Sequence, residues 1–452
     1  SLVEEVTDYE LSANGKKLLV RKTNEFFVID AGTTAPTTIA DNKVDLSKWA
    51  FSIQPRAEWR QMLTDAWRLE RDYFYDRGMH GVDYDGLLKR YQPFVDRITD
   101  RAELSDLLGH LVGELTALHT YVYGGDLRRG VEDVGVGSLG ARLEKVEGGY
   151  RVAHIYRNNP EYLEATAPLA KPQVNVNEGD VIVRINGMEM SAENPQAILR
   201  NTVGQQVLLE VQPHGKGSTR SVVVEPISAS AEADLRYEEW EYTRRLETEK
   251  RSDGDIGYVH LRAMGGGNYT EWVKNFYPVF NKKGLIVDVR HNRGGNIDSW
   301  ILSKLMRKAW FYWQPRIGQP SWNMQYAFRG HIVVLCNERT ASDGEAFAEG
   351  FRRLGLGKVI GTRTWGGEIW LSSGNVLVDR GIATAAEIGV FGPEGVWLIE
   401  GRGVDPDVVV DNPPHATFSG KDAQLDAAVQ YLKEKIAKEP VEVPKAPAYP
   451  KK

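Results

Sequence analysis

The sequence holds a single cysteine, Cys336, set inside the apolar run HIVVLC, so no intrachain disulfide can form. That fits a cytoplasmic protein and is equally compatible with a periplasmic one. Long hydrophobic runs are also missing. HIVVLC and GLIVDV are strand-length, far short of the roughly 20 apolar residues a transmembrane helix needs, so no membrane partner is expected. Nor does charge of one sign accumulate: 56 Lys and Arg are interspersed with 62 Asp and Glu for a net charge of -6. Without a basic footprint, nucleic acid is not an expected partner. The nine histidines have no H-E-x-x-H or H-x-H spacing, which leaves no hydrolytic metal centre in view. A triple glycine at 265–267 lacks the G-x-x-x-x-G-K-[ST] form of a phosphate cradle. No cofactor is expected.

What is present is a chain of 452 residues with 42% hydrophobic content, enough for several cores. It opens SLVEEV, without an initiator methionine or an apolar leader. The stretch YELSANGKKLLVRKTNEFFVID reads as short strands around an Asn14-Gly15 turn, too few to hold a core alone, so upstream strands are expected to be missing. After a turn-rich stretch, residues 55–118 take on helical periodicity. Trp59, Leu63, Trp67 and Phe74 fall near one face, and Asp100 caps a second helix. This predicts a small helical bundle with aromatics in its core.

From Val134 to Pro226 the pattern changes to short strands with glycine turns, as in NEGDVIVRINGMEM. The segment resembles a PDZ domain, which implies binding of extended peptides by strand addition, with VGVGSLGARL (134–143) as the carboxylate-binding loop. Residues 227–250 are charged and helix-forming, and read as a solvated connector. Beyond them strands alternate with helices through DIGYVHL, GLIVDVR, HIVVLC and KVIGT, predicting an α/β domain with a largely parallel sheet and ligands at the strands' carboxyl ends. KDAQLDAAVQYLKEKIAKE predicts a terminal helix, followed by a Pro/Lys-rich tail.

Two strand ends carry the candidate chemistry. GLIVDVRHNRGGNIDSW ends a buried strand in Gly294-Gly295, and a double glycine lets backbone N–H groups approach an oxyanion. HIVVLCNERTASDGE ends the next in Ser342-Asp343-Gly344. Ser342 with Glu345 three residues on is a capping-box pattern, but a serine at a helix N-terminus also has its alkoxide favoured by the macrodipole, and the following amide can donate to an oxyanion.

This pairing resembles the superfamily of C-terminal processing and tricorn proteases, which carries a ClpP/crotonase-like domain. The processing branch uses a Ser-Lys dyad with the lysine in G-[KR]-T-[FYW]-G-K-G, but in IGTRTWGGE (360–368) Gly367 stands at that place. The tricorn branch takes its base from the helical domain. There GELTALHTYVYGGD (113–126) supplies His119, and VWLIEGRGVDPD (396–407) matches the acid's segment with Glu400. The resemblance therefore implies Ser342 as nucleophile, His119 as base, Glu400 as orienter, and the amides of Gly295 and Asp343 as oxyanion donors. One departure is visible: the family has a serine before the histidine, and here Leu118 occupies it, so Glu400 must reach His119 directly, through water, or by way of Thr116 or Thr120.

Substrate contacts are expected from Gly294, from Gly265 and Gly266 in a flexible rim loop, and from Trp313 in KAWFYWQPR, where tricorn has an acid selecting basic side chains. The aromatics there suggest an apolar preference. The implied architecture is multidomain α+β and α/β: the end of a β-propeller at 1–40, a helical bundle at 41–130, a PDZ-like domain at 134–226, a serine protease domain at 227–425, and a helix with a tail at 426–452. The expected activity is a serine endopeptidase acting on peptides or unfolded polypeptides, assembled by resemblance into a hexamer. The alternatives are a PDZ-bearing peptide binder with a decayed site, motivated by Leu118, and crotonase-like acyl-CoA chemistry, which explains neither the PDZ insert nor the propeller remnant.

Overall fold

The computed structural model describes residues 2–127, 130, 134–161, 166–215, 217–371, 374 and 376–451. Parts of the expected helical-bundle edge, PDZ segment and late-strand region (128–129, 131–133, 162–165, 216, 372–373, 375) lie outside them. The chain forms two compact units, Ser1–Gln61 and Met62–Lys452, so the division falls inside the first helix, Pro55–Tyr73.

In the first unit three antiparallel strands, Asp8–Leu11, Lys17–Lys22 and Glu25–Asp30, form one sheet. Among the described residues its buried cluster is Val20, Phe27 and Ile29, with Val3, Leu18 and Ile39 packed against it.

The second unit begins with the helical bundle. Met62, Leu63, Ala66 and Trp67 are buried from the first helix, and Leu104, Leu108 and Leu111 from Arg101–Gly113. Asp100 caps the latter by accepting from the Glu103 amide (2.9 Å). The bundle is fastened to the far end of the chain. Val122–Tyr123 pairs antiparallel with Ile382–Ala383, and the Thr384 amide donates to the Tyr121 carbonyl (3.0 Å). A buried Arg101–Asp379 ion pair (2.5 Å) reinforces the joint. These contacts hold the loop after residue 113 on the α/β domain.

The PDZ-like module is a six-stranded antiparallel sheet, ordered Arg220–Val224, Val207–Gln212, Val181–Ile185, Gly149–Ile155, Ala141–Val146, with Met188–Glu189 pairing beside Val181–Ile185. In its expected carboxylate loop three amides have intramolecular acceptors. The Gly137 amide donates to the Leu199 carbonyl (2.8 Å), Ser138 to Ile227 (2.7 Å), and Gly140 to the Ser138 hydroxyl (3.0 Å), so these donors are already occupied.

The segment read as a solvated connector is one helix, Ala229–Arg251, and it is only partly solvated. It lies along the strand Ile256–His260, with Tyr237 Oη 2.7 Å from His260 Nε2, and it buries Thr248 and, in the core of the PDZ-like module, Leu235.

The α/β domain is built on five parallel strands in the order Ile256–His260, Gly284–Asp288, His331–Cys336, Gly357–Gly361, Val408–Val409. The first three are almost wholly buried, which explains their unbroken apolar sequence. Alternate side chains go to opposite faces. Leu285, Val287, Ile332 and Val334 pack with Trp272, Phe276, Ile301 and Phe347 from three helices, while Ile286, Val333 and Leu335 meet Leu425, Val429 and Leu432. The terminal helix, Ala423–Lys438, is thus part of the core of this α/β domain. Among the described residues no helix is long and apolar enough to cross a membrane.

Candidate active site

Ser342 occupies the turn between the central strand His331–Cys336 and the helix Asp343–Arg353. Its backbone lies at φ 55°, ψ -130°, a conformation costly for a residue with a β-carbon and the kind of strand-to-helix turn that lifts a nucleophile above a sheet. Neighbouring bonds over-determine it. The Ala341 amide donates to the Asn292 carbonyl (2.9 Å), the Thr340 hydroxyl to the Val289 carbonyl (2.8 Å), and the Ser342 amide to Glu345 Oε2 (3.0 Å). Only one arm of the expected capping box forms, because the Glu345 amide donates to the Ser342 carbonyl (2.6 Å) rather than to its hydroxyl. The hydroxyl is left out of the cap.

The glycine pair faces this turn. Gly294 has φ 79°, and a β-carbon on it would lie 2.5 Å from that of Ser342, so only glycine permits the approach. Gly295 is clamped against Met264: the Met264 amide donates to the Gly294 carbonyl (2.7 Å) and the Asn296 amide to the Met264 carbonyl (2.9 Å). The amides of Gly295 and Asp343 donate to no other described residue. Asn292, which the sequence reading passed over, ties the two loops together. Besides accepting from Ala341, it accepts from the Gly294 amide (2.8 Å) and donates to the Leu261 carbonyl (2.7 Å).

A third segment, residues 364–369, joins the serine side to the histidine side. Glu345 accepts from the amides of Gly366 (2.7 Å) and Gly367 (3.0 Å), and the Trp365 amide donates to the Thr340 carbonyl (3.0 Å). The ring of Trp365 packs edge-on against His119 at 5.5 Å between centroids. A β-carbon on Gly367 would meet that indole at 2.4 Å and the Leu118 β-carbon at 3.1 Å, so a lysine has no room here.

His119 is 5% exposed, and its Nδ1 is buried without a hydrogen-bond partner. Burial lowers its pKa below the usual 6.5, offset in part by the Glu400 charge and the Ile369 backbone, so the imidazole is held neutral. Glu400 does not bond to the ring. Its Oε1 accepts from the Leu118 amide (3.0 Å), and its Oε2 from the amides of Glu368 (2.8 Å) and Ile369 (3.2 Å). Of the alternative relays, Thr120 donates its hydroxyl to the Ala117 carbonyl (3.0 Å). Among the described residues no hydrogen bond joins His119 to Ser342 or to Glu400. The structure therefore brings His119, Glu400 and Ser342 onto the two sides of one segment without linking them through side chains.

The remaining expected residues divide. Gly265 and Gly266 do not form a flexible loop: Gly265 caps and Gly266 begins the helix Gly266–Phe276, with the Gly265 amide on Asn268 Oδ1 (3.0 Å). The short polar side chain of Asn268 fixes the start of this helix. Trp313 sits on a hairpin of Phe311–Trp313 with Ser321–Asn323, its ring against Phe311 at 4.9 Å. Glu368 went unnoticed in the sequence. It is buried, its Oε2 has no partner, and burial together with the charges of Glu345 and Asp343 pushes its pKa up to about 9. No spacing rule singles it out. Among the described residues no group of three metal-ligating side chains converges.

Comparison with known proteins gives a consistent picture. Peptidase family S41 matches residues 255–410, the Tricorn protease C1 domain residues 55–113, and the Tricorn protease PDZ domain residues 137–229. The chain is 35% identical over 451 residues to Tricorn protease homolog 1 of Streptomyces coelicolor, covering 96% of this chain and 41% of that protein. It is 34% identical to the Putative Tricorn-like protease C-terminal subunit of Sulfurisphaera tokodaii, covering 94% of this chain and 50% of the relative. The crystal structure of the tricorn protease superposes with a TM-score of 0.88 at 29% identity, over 96% of this chain and 42% of that one. The chain thus spans no more than half the length of these relatives.

Proposed function

From the premise that the chain belongs to the tricorn protease family, we propose that it is a serine endopeptidase that hydrolyses peptides or unfolded polypeptides through an acyl-enzyme. The observation that carries this reading is the strained Ser342 turn, with its hydroxyl outside the helix cap and two unoccupied amides beside it.

In this mechanism Ser342 Oγ attacks the scissile carbonyl while His119 takes its proton. The tetrahedral oxyanion accepts from the Gly295 and Asp343 amides, each worth about 3 to 4 kcal/mol in the transition state. His119 then protonates the leaving amine, and water repeats the sequence on the ester. A neutral imidazole suits the first step, and the proton transfer requires His119 to close on Ser342 when substrate fills the cleft. Glu400 acts at one remove: by holding the Leu118 amide it fixes the backbone on which His119 stands, and its charge favours the imidazolium. Gly294, Gly265, Gly266 and Trp313 are the proposed substrate contacts, and a cytoplasmic homo-oligomer, hexameric by resemblance, the proposed form.

Ser342→Ala should abolish both peptide cleavage and covalent labelling by a fluorophosphonate. Labelling that persists would put the nucleophile elsewhere. A second reading, a PDZ-bearing peptide binder with a silent site, is favoured by Leu118 and by the unpaired Nδ1 of His119. Saturable peptide binding with no turnover by the unaltered protein would select it.

A further inference from the structure

Asp343 enters the proposed mechanism only through its amide, yet its side chain is 1% exposed and engaged with the opposite loop. Asp343 Oδ2 accepts from the amides of Ile297 (2.7 Å) and Asp298 (3.1 Å), while Oδ1 is buried with no partner. Those two amides open the helix Asp298–Leu305, whose N-cap residue is an isoleucine with no side-chain oxygen to offer. Asp343 supplies the missing cap from across the site, and a carboxylate is the group a helix N-terminus favours most.

The position matters because Ile297 lies two residues after Gly295. Gly295 itself is held by the backbone bridge to Met264, through the Gly294 carbonyl before it and the Asn296 amide after it. The next fixed point along the loop is the Asp343 carboxylate. One residue thus carries one oxyanion amide on its backbone and grips the loop bearing the other with its side chain.

We propose that the Asp343 carboxylate is a positioning residue that sets the separation of the two oxyanion amides, so that the geometry of the oxyanion site depends on its ionisation. This rests on the serine-peptidase reading for its catalytic consequence, though not for the clamp itself. Burial, then the charge of Asp298, pushes the Asp343 pKa up to about 7, and the amides of Asp298 and Ile297 pull the other way. The titratable groups that face it are the Asp298 carboxyl on the neighbouring helix and the Glu368 carboxyl on the 364–369 segment, the latter neutral near pH 7 because its own pKa is pushed up to about 9. The sign follows. Above about pH 7 the ionised carboxyl accepts strongly and the loop is gripped; below it the protonated form is a weaker acceptor and the grip loosens. Activity should therefore fall on acidification before His119, whose pKa lies under 6.5, takes up its proton.

The test uses Asp343→Asn and Asp343→Ala in the full chain. Hydrogen exchange across residues 293–300 should rise at least about tenfold in Asp343→Ala, with other segments unchanged. In the unaltered protein the same amides should exchange faster, relative to their intrinsic rates, below pH 7 than above it. In turnover, Asp343→Ala should lower kcat about a hundredfold at unchanged KM. Asp343→Asn keeps an acceptor oxygen but cannot ionise, so it should lose the kcat limb near pH 7 and keep the one below 6.5. Unchanged exchange in Asp343→Ala, or a wild-type acid limb in Asp343→Asn, overturns the proposal. A protein that shows the exchange effect without any cleavage refutes the peptidase reading and leaves the clamp standing.

Discussion

The two halves of the site are built differently. The serine half lies within one sheet: adjacent parallel strands deliver Gly294-Gly295 and Ser342, and Asn292, Glu345 and Asp343 bond them into a rigid unit. The histidine half comes from the helical bundle, is fastened by Val122–Tyr123 and Arg101–Asp379, and meets the serine half across residues 364–369. One half is preorganised down to single amides, whereas the other is positioned as a loop, with the imidazole's Nδ1 unpaired. Oxyanion stabilisation gains from donors fixed before the reaction, while a base must move a proton and tolerates a final adjustment on substrate binding.

If that contrast holds, the most damaging small change falls in the serine half. A β-carbon on Gly295 would lie 2.0 Å from the Met264 carbonyl oxygen, at a φ of 154°. Backbone on both sides cannot yield cheaply, so Gly295→Ala should displace the amide and lower kcat by about a thousandfold, as loss of an oxyanion donor does. Steady-state kinetics on protein verified as folded by circular dichroism is the measurement. A loss under tenfold would mean this loop is far less rigid than its bonding implies.

On the histidine side the corresponding change should cost less. Glu400 receives three amides on two oxygens, and in Glu400→Gln the carboxamide nitrogen turns a donor toward at least one of them. An unsatisfied buried donor costs about 1 to 3 kcal/mol, so kcat should fall about tenfold to a hundredfold. Fluorophosphonate labelling rates, which also need the base, should fall in parallel. An effect as large as that of Gly295→Ala would remove the distinction between the halves.

The same contrast decides what sequence alone could reveal. The serine half was legible because its signals are local: strands buried on both faces read as apolar runs, and the glycine pair and Ser-Asp-Gly turn stand directly at their ends. The histidine half was reachable only through family resemblance, since nothing in GELTALHTYVYGGD announces a bond between the Leu118 amide and a carboxylate 282 residues on. Bonds made by backbone amides leave no trace in residue identity. That is also why the grip of Asp343 on Ile297 and the occupied amides of the VGVGSLG loop could not be anticipated. The glycines at 265–267 misled for a related reason: glycine suggests a loop, but the Asn268 side chain on the Gly265 amide starts a helix there.

The smallest expected effect is the most discriminating, because it adds a group to the looser half. Leu118 is 37% exposed and directly precedes His119, whose Nδ1 is unpaired, and the resemblance implies that a serine there bridges the acid to the imidazole. A new hydrogen bond of about 0.5 to 1.5 kcal/mol that persists into the transition state predicts a two- to tenfold rise in kcat for Leu118→Ser. Against this stands the packing of Leu118 over the Gly367 backbone, whose loss would let the loop drift. The outcomes separate cleanly: a rise means the imidazole lacks an orienting partner, and a fall means the leucine is itself the support that keeps His119 in place. In Glu400→Gln the gain from Leu118→Ser should vanish, since a hydroxyl that relays a carboxylate charge has nothing to relay once the carboxylate is neutral. A gain that survives in the double variant would assign the effect to the hydroxyl alone and reduce Glu400 to a backbone brace.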